Sequence, residues 1–152
     1  MKEKFASLYL DNQLCFPLYA ASRLTIQIYT PFLNELELTY PQYLVMLVLW
    51  QHGQQTVSDI GHHLLLESNT LTPLLKRLEQ KGLLLRSRSE ADERIVIVSL
   101  TEKGEQLKEQ AIHIPAAIMA SFDDETITEA EAVAFKQTLG KLVNVLKKKT
   151  GV

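Results

Sequence analysis

Residues 56–82 read TVSDIGHHLLLESNTLTPLLKRLEQKG, the pattern of two short helices joined by a turn. Thr56 and Asp59 stand three positions apart, as in a capping box, so a helix is predicted to begin there and to run through Leu64. Residues 65–67 form the predicted turn. The first helix of the pair is therefore short, and side-chain hydrogen bonds fix its start.

The second helix of this segment ends at a clear stop signal. Ser68 and Thr70 are candidate N-caps, and the helix is predicted to run to about Gln80, just before Lys81-Gly82. Pro73 is tolerated in a first turn, which favours a start near Thr70; an earlier start would bend the helix there. Two short apolar helices at this spacing form a helix-turn-helix.

Two strand-like runs follow the second helix. Residues 83–88 (LLLRSR) and 95–100 (IVIVSL) are rich in aliphatic side chains, and residues 89–94 form a polar connector between them. Arg86 and Arg88 share one face of the first strand because strand side chains alternate. The predicted fold class is therefore mainly α with a small β-hairpin wing, a winged helix-turn-helix.

Two helices are predicted before this segment. Residues 14–28 carry apolar side chains at three- and four-residue steps, which is typical of an amphipathic helix, and Pro31 is predicted to end it. Pro41 suits the first turn of the next helix, which ends at His52-Gly53. That second helix is apolar on nearly every side, so we expect it to be buried.

Amphipathic helices are also predicted after the wing. They begin at Thr101, reach Leu146 and break near Pro115 and at Asp123-Asp124. The chain is predicted to be one domain over residues 1–152, with the winged helix-turn-helix at about 40–104 and dimerisation helices at about 8–36 and 105–148. The outer helices have no evident core of their own to cover, so pairing two copies of the chain is their simplest use.

The composition excludes several classes of protein. The 152 residues are 46% hydrophobic and 22% charged, with one cysteine and no apolar run long enough to span a membrane. A disulfide scaffold and an integral membrane protein are therefore not expected, and the reducing cytoplasm is the predicted location. The net charge is −2, yet residues 68–94 carry six basic and four acidic side chains. A basic island thus coincides with the second helix and the wing.

This island favours double-stranded DNA as the partner. A recognition helix presents its first residues to base edges, while nearby cations contact phosphates. Two copies related by a twofold axis would read a pseudopalindromic operator. The predicted contacts are Ser68, Asn69, Thr70 and Thr72 at the helix start, Lys76 and Arg77 further along it, and Arg86, Arg88 and Arg94 in the hairpin.

The alternative is a protein-interaction module in which Ser68 and Thr70 serve only as helix caps. Capping accounts for those two side chains. It does not account for the basic side chains that follow them, so DNA binding is the favoured interpretation.

Cys15 is the side chain with the most evident reactivity. A lone cysteine on an apolar helix is usually a small buried hydrophobe. Pro17 cannot donate an intrahelical hydrogen bond, however, so the helix should begin near Cys15, where free N–H groups favour a thiolate. Tyr19 follows one turn later on the same face. Tyr29 lies about 21 Å away along a straight helix, so it can meet only the cysteine of a second, antiparallel copy.

Several segments resemble one family of regulators. Residues 11–16 (DNQLCF), 39–44 (TYPQYL), 71–77 (LTPLLKR) and 92–94 (DER) resemble those of MarR-family repressors, and among them the OhrR-type sensors of organic hydroperoxides. The wing motif alone indicates only the MarR family. The cysteine segment, taken together with Tyr29 and Tyr40, is much more specific for the sensors.

The resemblance implies a role for each of these residues. The cysteine matching Cys15 reacts with organic hydroperoxide to give a sulfenic acid, while tyrosines matching Tyr29 and Tyr40 of the other subunit hold the thiolate. Tyr19 resembles a third pocket tyrosine, and Arg94 resembles the wing arginine, positioned by Asp92. A homodimer is implied. This chain has no second cysteine, so it resembles the one-cysteine type, whose sulfenate reacts with a low-molecular-weight thiol or is oxidised further.

No metal, cofactor or enzymatic site is predicted. His62 and His63 point about 100° apart on a helix, and no histidine has metal-ligand spacing with a cysteine pair or a glutamate. Three functions remain in competition with the hydroperoxide sensor: a MarR-type repressor relieved by a small apolar or phenolic ligand, a general redox regulator of the same family, and a thiol peroxidase that turns over.

Overall fold

A computed structural model describes residues 3–122 and 126–151, so the predicted break at Asp123-Asp124 lies outside the described residues. Two short 3-10 turns, Glu3–Leu8 and Leu10–Asn12, precede the first helix. The elements then follow in the order α1 (Cys15–Glu35), α2 (Tyr40–His52), β1 (Gln55–Thr56), α3 (Val57–Leu64), α4 (Ser68–Gln80), β2 (Leu84–Arg88), β3 (Val96–Leu100), α5 (Glu102–Ala111), α6 (Ile114–Ser121) and α7 (Glu129–Thr150).

The predicted helix-turn-helix is confirmed as α3 and α4. Thr56 and Asp59 form the capping box: the Asp59 amide donates to Thr56 Oγ1 at 3.1 Å, and the Thr56 amide donates to Asp59 Oδ2 at 3.2 Å. Leu65 turns the chain with φ of 56°. Gly61 permits this turn, because a Cβ there would lie 2.8 Å from the Leu66 carbonyl oxygen.

Helix α4 begins earlier than predicted. Its first residue is Ser68 and not a residue near Thr70, and Pro73 therefore lies inside the helix. The buried face of the helix explains this, since Leu71, Leu75 and Leu78 are all in the core. Burial of a continuous apolar stripe outweighs the single hydrogen bond that proline cannot donate.

The wing is a three-stranded antiparallel sheet with the order β1-β3-β2. The predicted hairpin is confirmed as β2 and β3, with Arg86 opposite Val98 and Arg88 opposite Val96. The additional strand β1 pairs Gln55 with Val98. Two residues carry too little pattern for a strand to be recognised from the sequence.

Helix α2 lies at the centre of the fold, as its sequence predicts. Tyr43, Val45, Met46, Val48 and Leu49 are buried in it. Trp50 Nε1 donates to the Gly104 carbonyl at 2.9 Å and ties this helix to α5. The backbone of Leu83, just before β2, passes very close to Gly104: a Cβ at Gly104 would stand 2.0 Å from the Leu83 carbonyl oxygen. Helices α3 and α4 both pack on α2, and α5 packs against α2 and β3.

Helix α1 begins at Cys15 as predicted, but Pro31 does not end it. The helix continues to Glu35 with Pro31 inside. Leu33 lies beyond this proline and is buried in the core, and the following Leu36 is also buried. Their packing keeps the last turn helical despite the missing donor.

The outer helices leave apolar surface uncovered. In α7 no residue is buried, although Phe135, Leu142, Val143, Val145 and Leu146 are large apolar side chains. The first turns of α1 expose Phe16, Leu18 and Tyr19 in the same way. None of the described helices is long and apolar enough to cross a membrane.

Candidate nucleic-acid interface and cysteine site

The start of α4 presents a row of polar side chains to solvent. Ser68, Asn69, Thr70 and Thr72 are all exposed. The N-cap is Glu67, whose side chain makes no capping bond, so the expectation that Ser68 or Thr70 caps the helix is wrong. Thr72 Oγ1 donates to the Ser68 carbonyl at 2.7 Å. Because neither Ser68 nor Thr70 is the N-cap, helix capping does not account for their exposed hydroxyls.

Exposed basic side chains follow these polar residues on α4 and recur in the wing. Lys76 and Arg77 are exposed on α4, and Arg88 and Arg94 are exposed in the wing. Their positive charges face solvent from two adjacent elements. Such a surface suits a polyanion.

Hydrogen bonds shape the connector of the wing. The Arg94 amide donates to Asp92 Oδ1 at 3.0 Å, and Arg88 Nη1 donates to the Glu93 carbonyl at 2.5 Å. The Ser89 amide and the Ile95 carbonyl close the loop at 2.9 Å. Asp92 thus shapes the backbone that carries Arg94, through a main-chain contact.

Arg86 differs from the other arginines of the wing. Its Nε and Nη2 donate to Glu79 Oε2 at 3.0 and 2.6 Å, and its amide donates to Glu79 Oε1 at 3.1 Å. These hydrogen bonds to Arg86 hold the pKa of the Glu79 carboxyl below its usual range. Glu79 was missed in the sequence, where it stands seven residues before Arg86. The signal in the sequence was an acidic residue near the end of α4, opposite in charge to the arginines of the following strand.

Three tyrosines lie together between α1 and α2. The ring centroids of Tyr29 and Tyr40 are 4.9 Å apart in an edge-on arrangement, and those of Tyr29 and Tyr43 are 6.1 Å apart. Burial raises the pKa of all three phenols, and the neighbouring Tyr40 raises that of Tyr29 further. Sequence reasoning missed Tyr43, although it follows Tyr40 by three residues and so shares its helix face.

Cys15 is far from this cluster within one chain. It is exposed as the first residue of α1, and Tyr19 is exposed one turn later with the Arg23 guanidinium 5.9 Å from its ring centre. Tyr29 stands fourteen residues further along the same helix, about 21 Å away at 1.5 Å per residue. The sulfur of Cys15 and the phenol of Tyr29 are therefore separated by much of the length of α1.

A separate cavity of about 430 Å³ lies between α2 and α5. Tyr43, Leu47, Trp50 and Ile112 give it apolar walls, and Lys108 adds one cation at its edge. Lys108 Nζ donates to the Trp50 carbonyl at 3.3 Å. The cavity has the size of a small-molecule site.

The histidines do not form a metal centre. His52 and His63 stack with ring centres 4.3 Å apart, while His62 Nδ1 lies 2.8 Å from the Ser58 carbonyl oxygen. Within residues 3–122 and 126–151, no three histidine, cysteine or acidic side chains are placed to share a metal ion.

The chain is similar to known proteins of one family. The family model "Transcriptional regulator SarA/Rot" matches residues 27–111, from α1 to the end of α5. The organic hydroperoxide resistance transcriptional regulator of Bacillus subtilis is 55% identical over 119 residues, which cover 78% of this chain and 81% of that protein. The chain belongs to the MarR-type transcriptional regulators, in their OhrR branch. The predicted resemblance and fold class are thereby confirmed.

Solved structures of AbfR, a protein of Staphylococcus epidermidis, are similar to this regulator over nearly its whole length. Reduced AbfR bound to DNA is 42% identical, with a TM-score of 0.77 and coverage of 99% of both chains. Overoxidised AbfR bound to DNA is 41% identical, with a TM-score of 0.72 and coverage of 96% of this chain and 99% of that one.

Proposed function

We propose that this regulator is a homodimeric repressor that binds a pseudopalindromic operator and releases it when an organic hydroperoxide oxidises Cys15. The observation that carries the proposal is the separation along α1 of Cys15 from Tyr29, whose ring is paired with that of Tyr40 on α2. An antiparallel second copy would bring each sulfur to the other chain's phenols. The sensing pocket would then exist only in the dimer.

The dimer is supported by the uncovered apolar side chains of α1 and α7. Burying them against a second copy removes apolar area from water, which is the main driving force of association. A twofold dimer would place two copies of α4 on one face, about one turn of DNA apart. The DNA-bound structures of AbfR support DNA as the partner of that face.

The chemistry at Cys15 needs one thiolate and one peroxide. The sulfur attacks a peroxide oxygen, the O–O bond breaks, and the alkoxide leaves as an alcohol after taking a proton. The sulfur is oxidised by two electrons to a sulfenic acid, and the hydroperoxide is reduced. Because the chain has one cysteine, no internal disulfide can follow. A small thiol instead condenses with the sulfenic acid, releasing water, or a second hydroperoxide gives a sulfinic acid.

Release of the operator follows from the added bulk and polarity at the subunit interface. A larger, more polar group between α1 and the tyrosines of the partner changes how the two copies pack. The spacing of the two α4 helices then no longer matches the half-sites. The name of the Bacillus subtilis relative supports an organic hydroperoxide as the signal. Overoxidised AbfR is bound to DNA in its solved structure, so we assign release of the operator to the mixed disulfide with a small thiol and not to the sulfinic acid.

An operator titration tests this proposal. Reduced wild-type protein is titrated against the duplex that it enriches from a randomised library, before and after an organic hydroperoxide plus a small thiol. Wild type should lose affinity after oxidation, whereas Cys15→Ser should bind equally well in both cases. Release of the serine variant by the peroxide would contradict the sensor. Continuous consumption of peroxide without DNA affinity would indicate a thiol peroxidase.

The cavity beside α2 favours a second candidate, a repressor relieved by a small apolar or phenolic ligand. Its apolar walls and the cation of Lys108 suit an aromatic anion. In this case an aromatic acid such as benzoate or salicylate should release the operator from Cys15→Ser as well as from wild type. A ligand effect that Leu47→Trp abolishes would assign it to this cavity.

A further inference from the structure

The ion pair of Glu79 and Arg86 joins the two elements that the proposed function directs at DNA. Glu79 lies in the last turn of α4, and Arg86 is the middle residue of β2. Both oxygens of the Glu79 carboxylate accept from Arg86: Oε1 from its amide, and Oε2 from its Nε and Nη2. A single side chain thus holds the backbone and the guanidinium of the facing strand.

Further hydrogen bonds hold residues 81 and 82, just after the end of α4, to other parts of the protein. Lys81 Nζ donates to the Glu37 carbonyl in the loop before α2, and Lys103 Nζ donates to the Lys81 carbonyl at 2.8 Å. Thr101 Oγ1 donates to the Gly82 carbonyl at 2.6 Å. These bonds fix α4 to the body of the protein. They do not reach the part of the wing that extends beyond Arg86.

The position of Arg86 decides what its contact with Glu79 can control. Leu84 is fully buried at the start of β2, whereas Ser87 and Arg88 are exposed and lead to the connector with Arg94. Arg86 is therefore the last residue of β2 that is held from α4 before the wing extends into solvent. Its guanidinium is bound to a carboxylate, which leaves it poorly suited to neutralise a phosphate.

We propose that Glu79 and Arg86 are positioning residues for DNA recognition: their ion pair sets the wing at a fixed angle to α4, so that the wing arginines and the start of α4 contact one site together. This inference rests on the proposed binding of DNA. It removes Arg86 from the predicted phosphate contacts and adds an acidic residue, Glu79, to the groups that DNA binding requires.

The sign of the effect makes the inference testable. Removing an acidic side chain from a DNA-binding face should strengthen binding if only long-range electrostatics mattered. The positioning role requires the opposite. Glu79→Gln should weaken binding to the enriched duplex about tenfold, equivalent to about 1.4 kcal/mol, while binding to a scrambled duplex changes by less than about twofold. Glu90→Gln, which removes the same charge from an exposed site in the connector, should leave operator binding unchanged or tighter.

Arg86 variants separate positioning from phosphate contact. Arg86→Lys keeps the charge and loses the planar guanidinium, so it should weaken operator binding as Glu79→Gln does. Arg86→Met should weaken it without lowering the salt dependence, and the double variant with Glu79→Gln should be no worse than either single one, because both remove the same contact. Arg86→Lys also serves if Glu79→Gln fails to fold.

Three results would overturn the inference. They are a tighter operator complex for Glu79→Gln, full operator affinity for Arg86→Lys, and a salt dependence reduced by about one unit for Arg86→Met. A wild-type protein that enriches no duplex would instead overturn the proposed function itself. The two failures are therefore distinguishable in one set of titrations.

Discussion

The rings of Tyr29 and Tyr40 meet edge to face with their centroids 4.9 Å apart, and burial raises the pKa of both phenols. The raised values keep the two hydroxyls protonated well beyond neutral pH. Each is therefore a hydrogen-bond donor at the pH of the cell, as a partner for a sulfur anion must be. The pair joins α1 to the start of α2, so any change in its position affects both helices.

Replacing Tyr29 tests whether this pair acts on the sulfur. Tyr29→Phe keeps the ring contact and removes one donor to the thiolate, so oxidation of Cys15 should slow by about tenfold or more, since a hydrogen bond to a charged group contributes about 1.5–3 kcal/mol. Mass spectrometry of Cys15 after timed exposure to an organic hydroperoxide measures the rate. Unchanged kinetics would exclude Tyr29 from the pocket. The melting temperature serves as the control for folding.

Replacing Arg94 tests the wing contact. Arg94→Ala should weaken operator binding and reduce the slope of log affinity against log salt by about one unit, because one phosphate contact and its released counterion are lost. Lys136→Ala removes an exposed cation from α7, which is not part of the wing, and should leave the slope unchanged. Equal slopes for wild type and Arg94→Ala would remove Arg94 from the interface.

Replacing Asp59 tests the cap of α3 and its pH dependence. Hydrogen bonds from the Thr56 side chain and backbone lower the pKa of Asp59 below its usual 3.8. A lowered folded-state pKa means that this contribution to stability is complete above about pH 4 and is lost as the pH falls through the folded-state value.

Asp59→Asn should therefore cost about 1 kcal/mol at neutral pH and progressively less as the pH is lowered below about 4, by denaturant unfolding at each pH. A cost that stays constant from pH 7 to pH 3 would contradict the ionised cap. Glu131→Gln, which alters the equivalent capping box of α7, is the matched control for a cap away from the winged helix.

Replacing Gly104 tests the close approach of α5 to the chain before β2. A methyl group at this position would stand 2.0 Å from the Leu83 carbonyl oxygen, so Gly104→Ala should force α5 away and lower the melting temperature strongly. Gly140→Ala is the same change in a helix where a Cβ meets nothing within 4 Å. It should leave the melting temperature unchanged or raise it. Equal losses for both variants would show that close approach is not the cause.

The winged helix could be predicted from the sequence because its signals are local. The capping pair of Thr56 and Asp59, the stop at Lys81-Gly82 and the β-branched run of β3 each act within a few residues. The two errors at prolines share one cause. The predictions at Pro31 and Pro73 rest on the backbone N–H that proline lacks. Burial of Leu33 and Leu71 nevertheless keeps both segments helical.

The site could be predicted only in part, because some of its contacts join residues on different helices and strands. Arg86 was placed with Arg88 by strand alternation, which is correct, but alternation cannot reveal that Glu79 holds its guanidinium. The grouping of Tyr29 with Tyr43 depends on how α1 packs against α2. The position of Cys15 at the start of α1 could be predicted, because it depends only on the nearby Pro17, which favours a helix start there.

Pro31 has a consequence for the behaviour of α1 in solution. A proline has no amide hydrogen, so the carbonyl of Gln27 loses its usual acceptor role one turn earlier, next to Tyr29. The hydrogen-bond ladder of this long helix is thus incomplete near Tyr29. The Gln27 carbonyl can therefore accept a hydrogen bond from a side chain or from water, while the burial of Leu33 keeps this end of α1 fixed to the core.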